Sequence, residues 1–198
     1  MIKAFAFLGN YGNEYKDTRH NAGFFCAENL ELTRDLNWQN KFIGEYARAD
    51  SPYGTETLHF LKPLTYMNNS GNAVVKMMQF YKIKPQELVV IHDELELDKA
   101  VISLKWAGGL GGHNGLRSIK AQLGTSEFWR IRIGIGRPAC EQADIADYVL
   151  SRFTKSELET LQFQLPVLNE LIAELLQCKS DEALHALLPA RAKVKPDV

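Results

Sequence analysis

Cysteine is scarce, and the few present stand apart. The 198 residues contain Cys26, Cys140 and Cys178, in no C-x-x-C arrangement. Disulfide scaffolds and zinc ribbons need closely spaced cysteines, so neither is expected, and a reducing compartment, the cytoplasm, is. No apolar run approaches the ~18 residues that cross a bilayer, so no membrane span is expected. The opening Met1-Ile2-Lys3-Ala4-Phe5-Ala6-Phe7-Leu8 is too short for a secretory signal and runs into a turn, Gly9-Asn10-Tyr11-Gly12, rather than a cleavage site. There is no G-x-S-x-G, which removes the strained serine elbow of the α/β-hydrolases. There is no G-x-x-x-x-G-K-[ST], which removes the nucleotide P-loop. H-E-x-x-H is also missing; His92, Asp93, Glu94 and His113 are ligand-type residues, but without that spacing or paired cysteines no metal and no other cofactor is expected. Gly134-x-Gly136-x-x-Ala139 fits a loose dinucleotide fingerprint, yet Pro138 interrupts it and the first strand lacks it.

Net charge is nearly absent as well, at −1. Its distribution is uneven. Between Lys105 and Arg137 stand six basic residues, Lys105, Arg117, Lys120, Arg130, Arg132 and Arg137, against one acid, Glu127. Between Gln86 and Asp98 stand Glu87, Asp93, Glu94, Glu96 and Asp98 with no Lys or Arg. Such segregation can put a phosphate-facing patch on a neutral protein, although two solvated faces would look the same. With 45% hydrophobic residues a core needs no covalent staple. One domain is expected over residues 1–189, followed by a basic, frayed tail at 190–198.

What is abundant is local. Gly108-Gly109-Leu110-Gly111-Gly112-His113-Asn114-Gly115 has five glycines in eight residues. Glycine loses more backbone entropy on folding than any other residue, so such a run marks a sharp bend or a close approach. It lies between a strand-like Val101-Ile102-Ser103-Leu104 and a helix-like Leu116-Arg117-Ser118-Ile119-Lys120-Ala121-Gln122-Leu123. That is the order in which α/β proteins present binding groups at strand carboxyl ends.

The rest of the chain alternates similarly. Residues 2–8 read as a buried strand. Asn21 reads as the cap of a helix to about Leu32, with His20 just outside its mouth. Residues 42–49 and 56–61 read as two strands of a hairpin. Asn69 or Ser70 reads as the cap of a helix through Phe80, leaving Tyr66, Met67 and Asn68 in the loop before it. Leu88-Val89-Val90-Ile91-His92 suits a central strand ending in Asp93-Glu94. In Arg130-Ile131-Arg132-Ile133-Gly134-Ile135 the isoleucines face one side and the arginines the other. Thr154-x-x-Glu157 is a capping box opening one long helix to about Cys178, and Ser180 caps a shorter one. The expected fold is a single α/β domain, a twisted mixed, largely parallel sheet flanked by helices, with further helices at the C-terminus.

Strand ends and helix mouths then carry Asn10, His20, Asn68, Asp93, His113 and Asn114. Three are amides, both donor and acceptor and uncharged, which suits ester carbonyls, peptide backbone or ribose better than phosphate. One histidine and one aspartate can form a base and its orienter. With no nucleophile elbow, water is the expected nucleophile.

Six collinear motifs carry a resemblance over residues 1–150: Leu8-Gly9-Asn10-x-Gly12-x-x-Tyr15, Thr18-Arg19-His20-Asn21-x-Gly23, Lys62-Pro63-x-Thr65-Tyr66-Met67-Asn68-x-Ser70-Gly71, His92-Asp93-Glu94-Leu95, Gly111-Gly112-His113-Asn114-Gly115-Leu116 and Arg132-Ile133-Gly134-Ile135-Gly136. Together they resemble bacterial peptidyl-tRNA hydrolase. The resemblance implies hydrolysis of the ester joining a peptide to the 3′ ribose of tRNA, by a monomer that needs no metal. It implies His20 as general base, Asp93 as its orienter, and Asn10 beside the scissile ester. It implies Asn68 and Asn114 on the peptide backbone or water, Tyr15, Tyr66, Met67 and His113 around the 3′ end, and Lys105 and Arg132 on the tRNA 5′ phosphate. The chain departs from the family pattern at Tyr11, where proline is usual, at Ala107, where glycine is usual, and at the acidic Ala139-Cys140-Glu141-Gln142-Ala143-Asp144, where a basic segment is usual. The alternative reading is a non-catalytic RNA-binding relative on the same fold.

Overall fold

The computed structural model describes residues 1–140 and 142–196. β1 (Ala4–Phe7) is apolar and buried along its whole length, as a parallel strand covered on both faces must be. β4 (Thr57–Pro63) and β5 (Leu88–Glu94) pair with it in parallel on either side, and β7 (Trp129–Gly134) adds in parallel to β5. The edges are antiparallel. β3 (Gly44–Asp50) lies on β4 with β2 (Gln39–Lys41) outside it, and β6 (Ile102–Trp106) lies on β7. The sheet order is β2-β3-β4-β1-β5-β7-β6, mixed and largely parallel at its centre.

Strand side chains alternate between faces, and the two faces gather two cores. Phe5 and Phe7 of β1, with Ile91, Ile131 and Ile133, pack under α1 (Ala22–Asn29), α5 (Lys155–Phe163), α6 (Leu165–Gln177) and α7 (Asp181–Ala186), which contribute Cys26, Leu161, Leu171 and Leu184 among others. Ala4, Ala6 and Val90 pack on the other face under α2 (Ser70–Tyr81) and α3 (Asn114–Leu123), through Val74, Met77, Leu116 and Ile119.

Several local expectations are corrected. The strand expected from residue 42 begins at Gly44, because Phe42 (φ 58°) and Ile43 (φ 59°) make a left-handed turn back from β2. α1 stops at Asn29 rather than near Leu32, and neither Asn21 nor Asn69 caps a helix with its side chain. Ser70 lies inside α2, its hydroxyl donating to the Met67 carbonyl. The long helix expected to run to Cys178 is broken at Gln164 into α5 and α6, since Pro166 supplies no N–H and its ring meets the preceding turn. The tail expected to fray is docked as far as Val194. Val194 exchanges both backbone hydrogen bonds with Ile102 (2.8 and 3.0 Å), and Leu104 N donates to the Arg191 carbonyl (2.8 Å), so the segment covers the free edge of β6. Arg191 also lies across Glu174 (Nε–Oε2 2.8 Å).

The chain passes from β4 on one side of β1 to β5 on the other. Such a reversal opens a crevice beyond the strand carboxyl ends, and the expected site residues stand there.

Candidate active site

His20 reaches the sheet because of a glycine. A Cβ on Gly23 would lie 2.4 Å from the Leu8 backbone and 2.7 Å from the Ile91 carbonyl. Without one, the first turn of α1 rests directly on the ends of β1 and β5. A 3-10 turn, Arg19–Asn21, precedes it and holds His20 over β5. His20 Nδ1 lies 2.9 and 3.0 Å from the two carboxylate oxygens of Asp93. His20 is 9% and Asp93 3% exposed.

Neighbours of His20 lock that turn. Arg19 donates to Glu157 (2.7 Å), to the Ser151 hydroxyl (2.5 Å) and to the Arg152 carbonyl (2.9 Å). Its guanidinium lies 4.6 Å from the Tyr148 ring centre. Glu157 serves both as the capping-box acid of α5 and as the partner of Arg19 and Lys99. Burial opposes its charge, but Lys99, the Thr154 amide and Arg19 outweigh that and bring the carboxyl to about 2. Asn21, expected as a cap, instead clamps Asn10. Asn10 N donates to Asn21 Oδ1 (2.8 Å), and Asn21 Nδ2 donates to the Asn10 carbonyl (3.1 Å). Asn10 Oδ1 accepts from the Met67 amide at 2.7 Å. That leaves the Asn10 Nδ2 amide to donate into the crevice.

Asp93 has a second imidazole that sequence reasoning placed only beside the substrate. His113 Nε2 lies 3.0 Å from Asp93 Oδ1. His113 Nδ1 accepts from the Gly115 and Leu116 amides (3.1 and 3.4 Å) and so caps α3. That cap fixes the tautomer. Nδ1 must be bare, so Nε2 carries the proton and donates to Asp93. His92 stands behind, fully buried, its Nδ1 donating to the Asp93 carbonyl (2.6 Å) and its ring 4.9 Å from that of His113. Burial above all, and then His113, keep His92 well below the ordinary histidine range. For His20, burial opposes the imidazolium, yet the charge and hydrogen bond of Asp93 outweigh it and raise the pKa above the usual 6.5. For Asp93, burial favours the acid form, but the two histidines outweigh it and hold the carboxyl well below the usual range.

A cavity of about 550 Å³ opens over this cluster. Asn10, His20, Asp93 and His113 line it together with Tyr15, Tyr66, Met67, Asn68 and Asn114, so the structure brings all nine of these candidates together. The Tyr15 and Tyr66 rings meet edge to face at 6.3 Å. Opposite stands α4 (Ile145–Leu150), which the sequence reading missed; Ile145, Ala146, Val149 and Leu150 close the cavity on that side. Its signal was present. Asp144 Oδ1 accepts from the Ala146 amide (2.7 Å) as an N-cap ahead of apolar residues four apart, and so the last acid of the segment after Pro138 has a local task. Glu141 of that segment lies outside the described residues.

Lys105 and Arg132 lie outside this cavity, on one face of the neighbouring β6 and β7. Lys105 pairs across the strands with Arg130, and Ser103 with Arg132. Arg132 donates to the Ser103 hydroxyl (2.6 Å) and Glu94 (3.4 Å). Arg130 is buried and is spent on the glycine loop, donating to the carbonyls of Ala107 and Gly109. It holds Ala107 at φ 47°, a left-handed conformation that costs a non-glycine residue energy. Lys105 has no ion-pair partner among the described residues, and burial together with the two arginines lowers its pKa.

Of the metal-ligand types, the structure gathers His20, Asp93 and His113, with ligand atoms within 4.8 Å of one another, rather than the set around Glu94. Asp93 lies at ordinary hydrogen-bond length from each histidine, and two backbone amides occupy His113 Nδ1.

An oriented imidazole stands at a strand end with side-chain amides around it, and no serine, threonine or cysteine is among the described residues lining the cavity, the setting of an α/β protein with a proton-moving site. The comparisons name the family. The family model for peptidyl-tRNA hydrolase matches residues 4–195, and the chain belongs to that family. Peptidyl-tRNA hydrolase of Treponema pallidum is 51% identical over 158 residues, 79% of this chain and 78% of the relative. That of Neisseria meningitidis serogroup A is 42% identical over 188 residues, 94% of this chain and 96% of the relative. A crystal structure of peptidyl-tRNA hydrolase in complex with N-propanol superposes with TM-score 0.86 at 33% identity, covering 100% of this chain and 97% of that one. The enzyme of Acinetobacter baumannii superposes with TM-score 0.79 at 34% identity, covering 95% and 93%.

Proposed function

We infer that the chain hydrolyses peptidyl-tRNA at the ester between peptide and 3′ ribose, releasing peptide and free tRNA. The observation that carries the mechanism is the His20–Asp93 pair in a cavity into which the Asn10 amide points. His20 Nε2 takes a proton from water, and the hydroxide adds to the ester carbon. Asp93 keeps the proton on Nδ1 and stabilises the imidazolium that forms. Asn10 Nδ2 donates to the carbonyl oxygen as it gains charge. The imidazolium then returns its proton to the 3′ oxygen as the bond to tRNA breaks. Asn68 and Asn114, both exposed at the rim, bind peptide backbone or position water, which makes the enzyme indifferent to much of the peptide sequence. Tyr15, Tyr66, Met67 and His113 surround the 3′ end. The enzyme works as a cytoplasmic monomer without metal or cofactor; among the described residues no helix is long and apolar enough to cross a membrane.

A turnover assay on a peptidyl-tRNA mimic, before and after dialysis against chelator, tests this. Equal rates are expected. RNA binding without turnover would point to the non-catalytic alternative, which the named relatives do not favour. Loss of rate restored by zinc or manganese would make His20, Asp93 and His113 ligands.

Lys105 and Arg132 are proposed to hold the tRNA 5′ phosphate, the most charged single point of an acceptor stem. Lys105→Ala and Arg132→Ala should raise KM more than they lower kcat, and each should flatten the salt dependence, since fewer counterions are released on binding. Wild type should prefer substrates carrying the 5′ phosphate and the double variant should not. Equal treatment by wild type would remove the clamp.

A further inference from the structure

A second cavity of about 630 Å³ adjoins the catalytic one, and Asn10 and Tyr66 line both. We propose that it is a subsite for the distal residues of the peptide, selecting apolar or cationic side chains over acidic ones. The proposal rests on the peptidyl-tRNA reading above. The cavity is built for side chains. Tyr11, Phe24, Phe25, Leu64 and Phe153 line it, and Tyr11 and Tyr66 remain 58% and 60% exposed. Exposed aromatics rimmed by polar groups mark a binding surface. Its wall is firm, because the Asn10 backbone is clamped on both sides by Asn21.

Charge decides which of the two polymers joined at the ester enters it. Glu14, Asp17 and Glu28 stand around the cavity against a single cation, Lys16, and such a rim repels phosphodiesters. The cations Lys105, Arg130 and Arg132 lie on β6 and β7, at the other end of the sheet order β4-β1-β5-β7-β6. The second cavity lies by Asn10 and Leu64, beyond β1 and β4, and the catalytic cavity lies between it and the cations. RNA therefore approaches from the β7–β6 side and the peptide leaves toward β4. The residue esterified to ribose stays at His20, and those before it cross the Asn10–Tyr66 wall.

The test uses one tRNA carrying an N-acetylated single residue or a tetrapeptide with Phe, Lys or Glu at the two positions farthest from the ester. For wild type, kcat/KM should be higher with Phe or Lys than with Glu by roughly fivefold, the size of one screened charge contact. A Glu14→Lys, Glu28→Lys double variant should reverse the order of Lys and Glu, and Tyr11→Ala should remove the advantage of Phe. If wild type hydrolyses all three tetrapeptides alike, or if the charge-reversed variant keeps the original order, the subsite is refuted. No turnover even of the N-acetylated single residue would instead overturn the hydrolase reading, and the subsite with it.

Discussion

Replacing His20 with alanine should lower kcat by roughly two to four orders of magnitude, the usual share of a general base, while KM changes little. No neighbour can take over. His113 is the nearest imidazole, with ring centres 4.9 Å apart, but its Nδ1 caps α3 and its Nε2 donates to Asp93. Asp93 is held as a carboxylate far below neutrality by the two histidines despite its burial, which makes it a poor base. The fold should survive, because Arg19 and Asn21 hold the turn independently of the imidazole. Single-turnover measurement on peptidyl-tRNA separates the chemical step from product release. A His20→Ala enzyme with near-normal turnover would end the assignment.

Asp93→Asn should cost a comparable factor by a different route, visible in the pH profile. The carboxylate accepts from both imidazoles, whereas an asparagine offers one acceptor oxygen and an amide that must donate. One histidine is then misoriented. In wild type, burial depresses the His20 pKa, but Asp93 outweighs it and the net shift is upward. The base must be neutral to act, so activity should fall on the acid side with a midpoint above 6.5. In Asp93→Asn only burial remains, and the midpoint should move down as kcat drops. Stability follows the same sign. A raised His20 pKa contributes stability that is complete below about 6.5 and lost as pH rises through the folded value. Wild type should therefore lose, as pH rises above 6.5 through the raised folded value, a part of its thermal stability that the variant never had. An acid limb that stays in place, or a variant that fails to fold, would make Asp93 a structural residue.

The parts of this enzyme that could be read along the chain are those set by short-range pattern. The apolar run of 88–92 can only be a covered strand, so Asp93 had to stand at its end. The Thr154–Glu157 capping box and the glycine run mark their own ends. That one histidine and one aspartate could serve as base and orienter was legible from chemistry alone; that the histidine is His20 rather than His92 or His113 came from the family resemblance.

Roles that depend on a distant partner were not legible. Arg19 meets Glu157 across 138 positions, and Asn21 turns from a helix cap into the clamp of Asn10. Arg130 and Arg132 share a face as their alternation requires, yet one is consumed by the glycine loop and the other is engaged by Ser103 and Glu94. The basic tail reads as solvated until the unpaired edge of β6 is seen, which its backbone groups satisfy. Sequence by itself determined which side chains are apolar, where backbone must bend, and which groups can move a proton, because those properties belong to single residues and their near neighbours. Tertiary structure decided which donor meets which acceptor. A hydrogen bond or ion pair needs its partners within about 3–4 Å, and only the sheet order and the helix packing bring chain-distant groups that close.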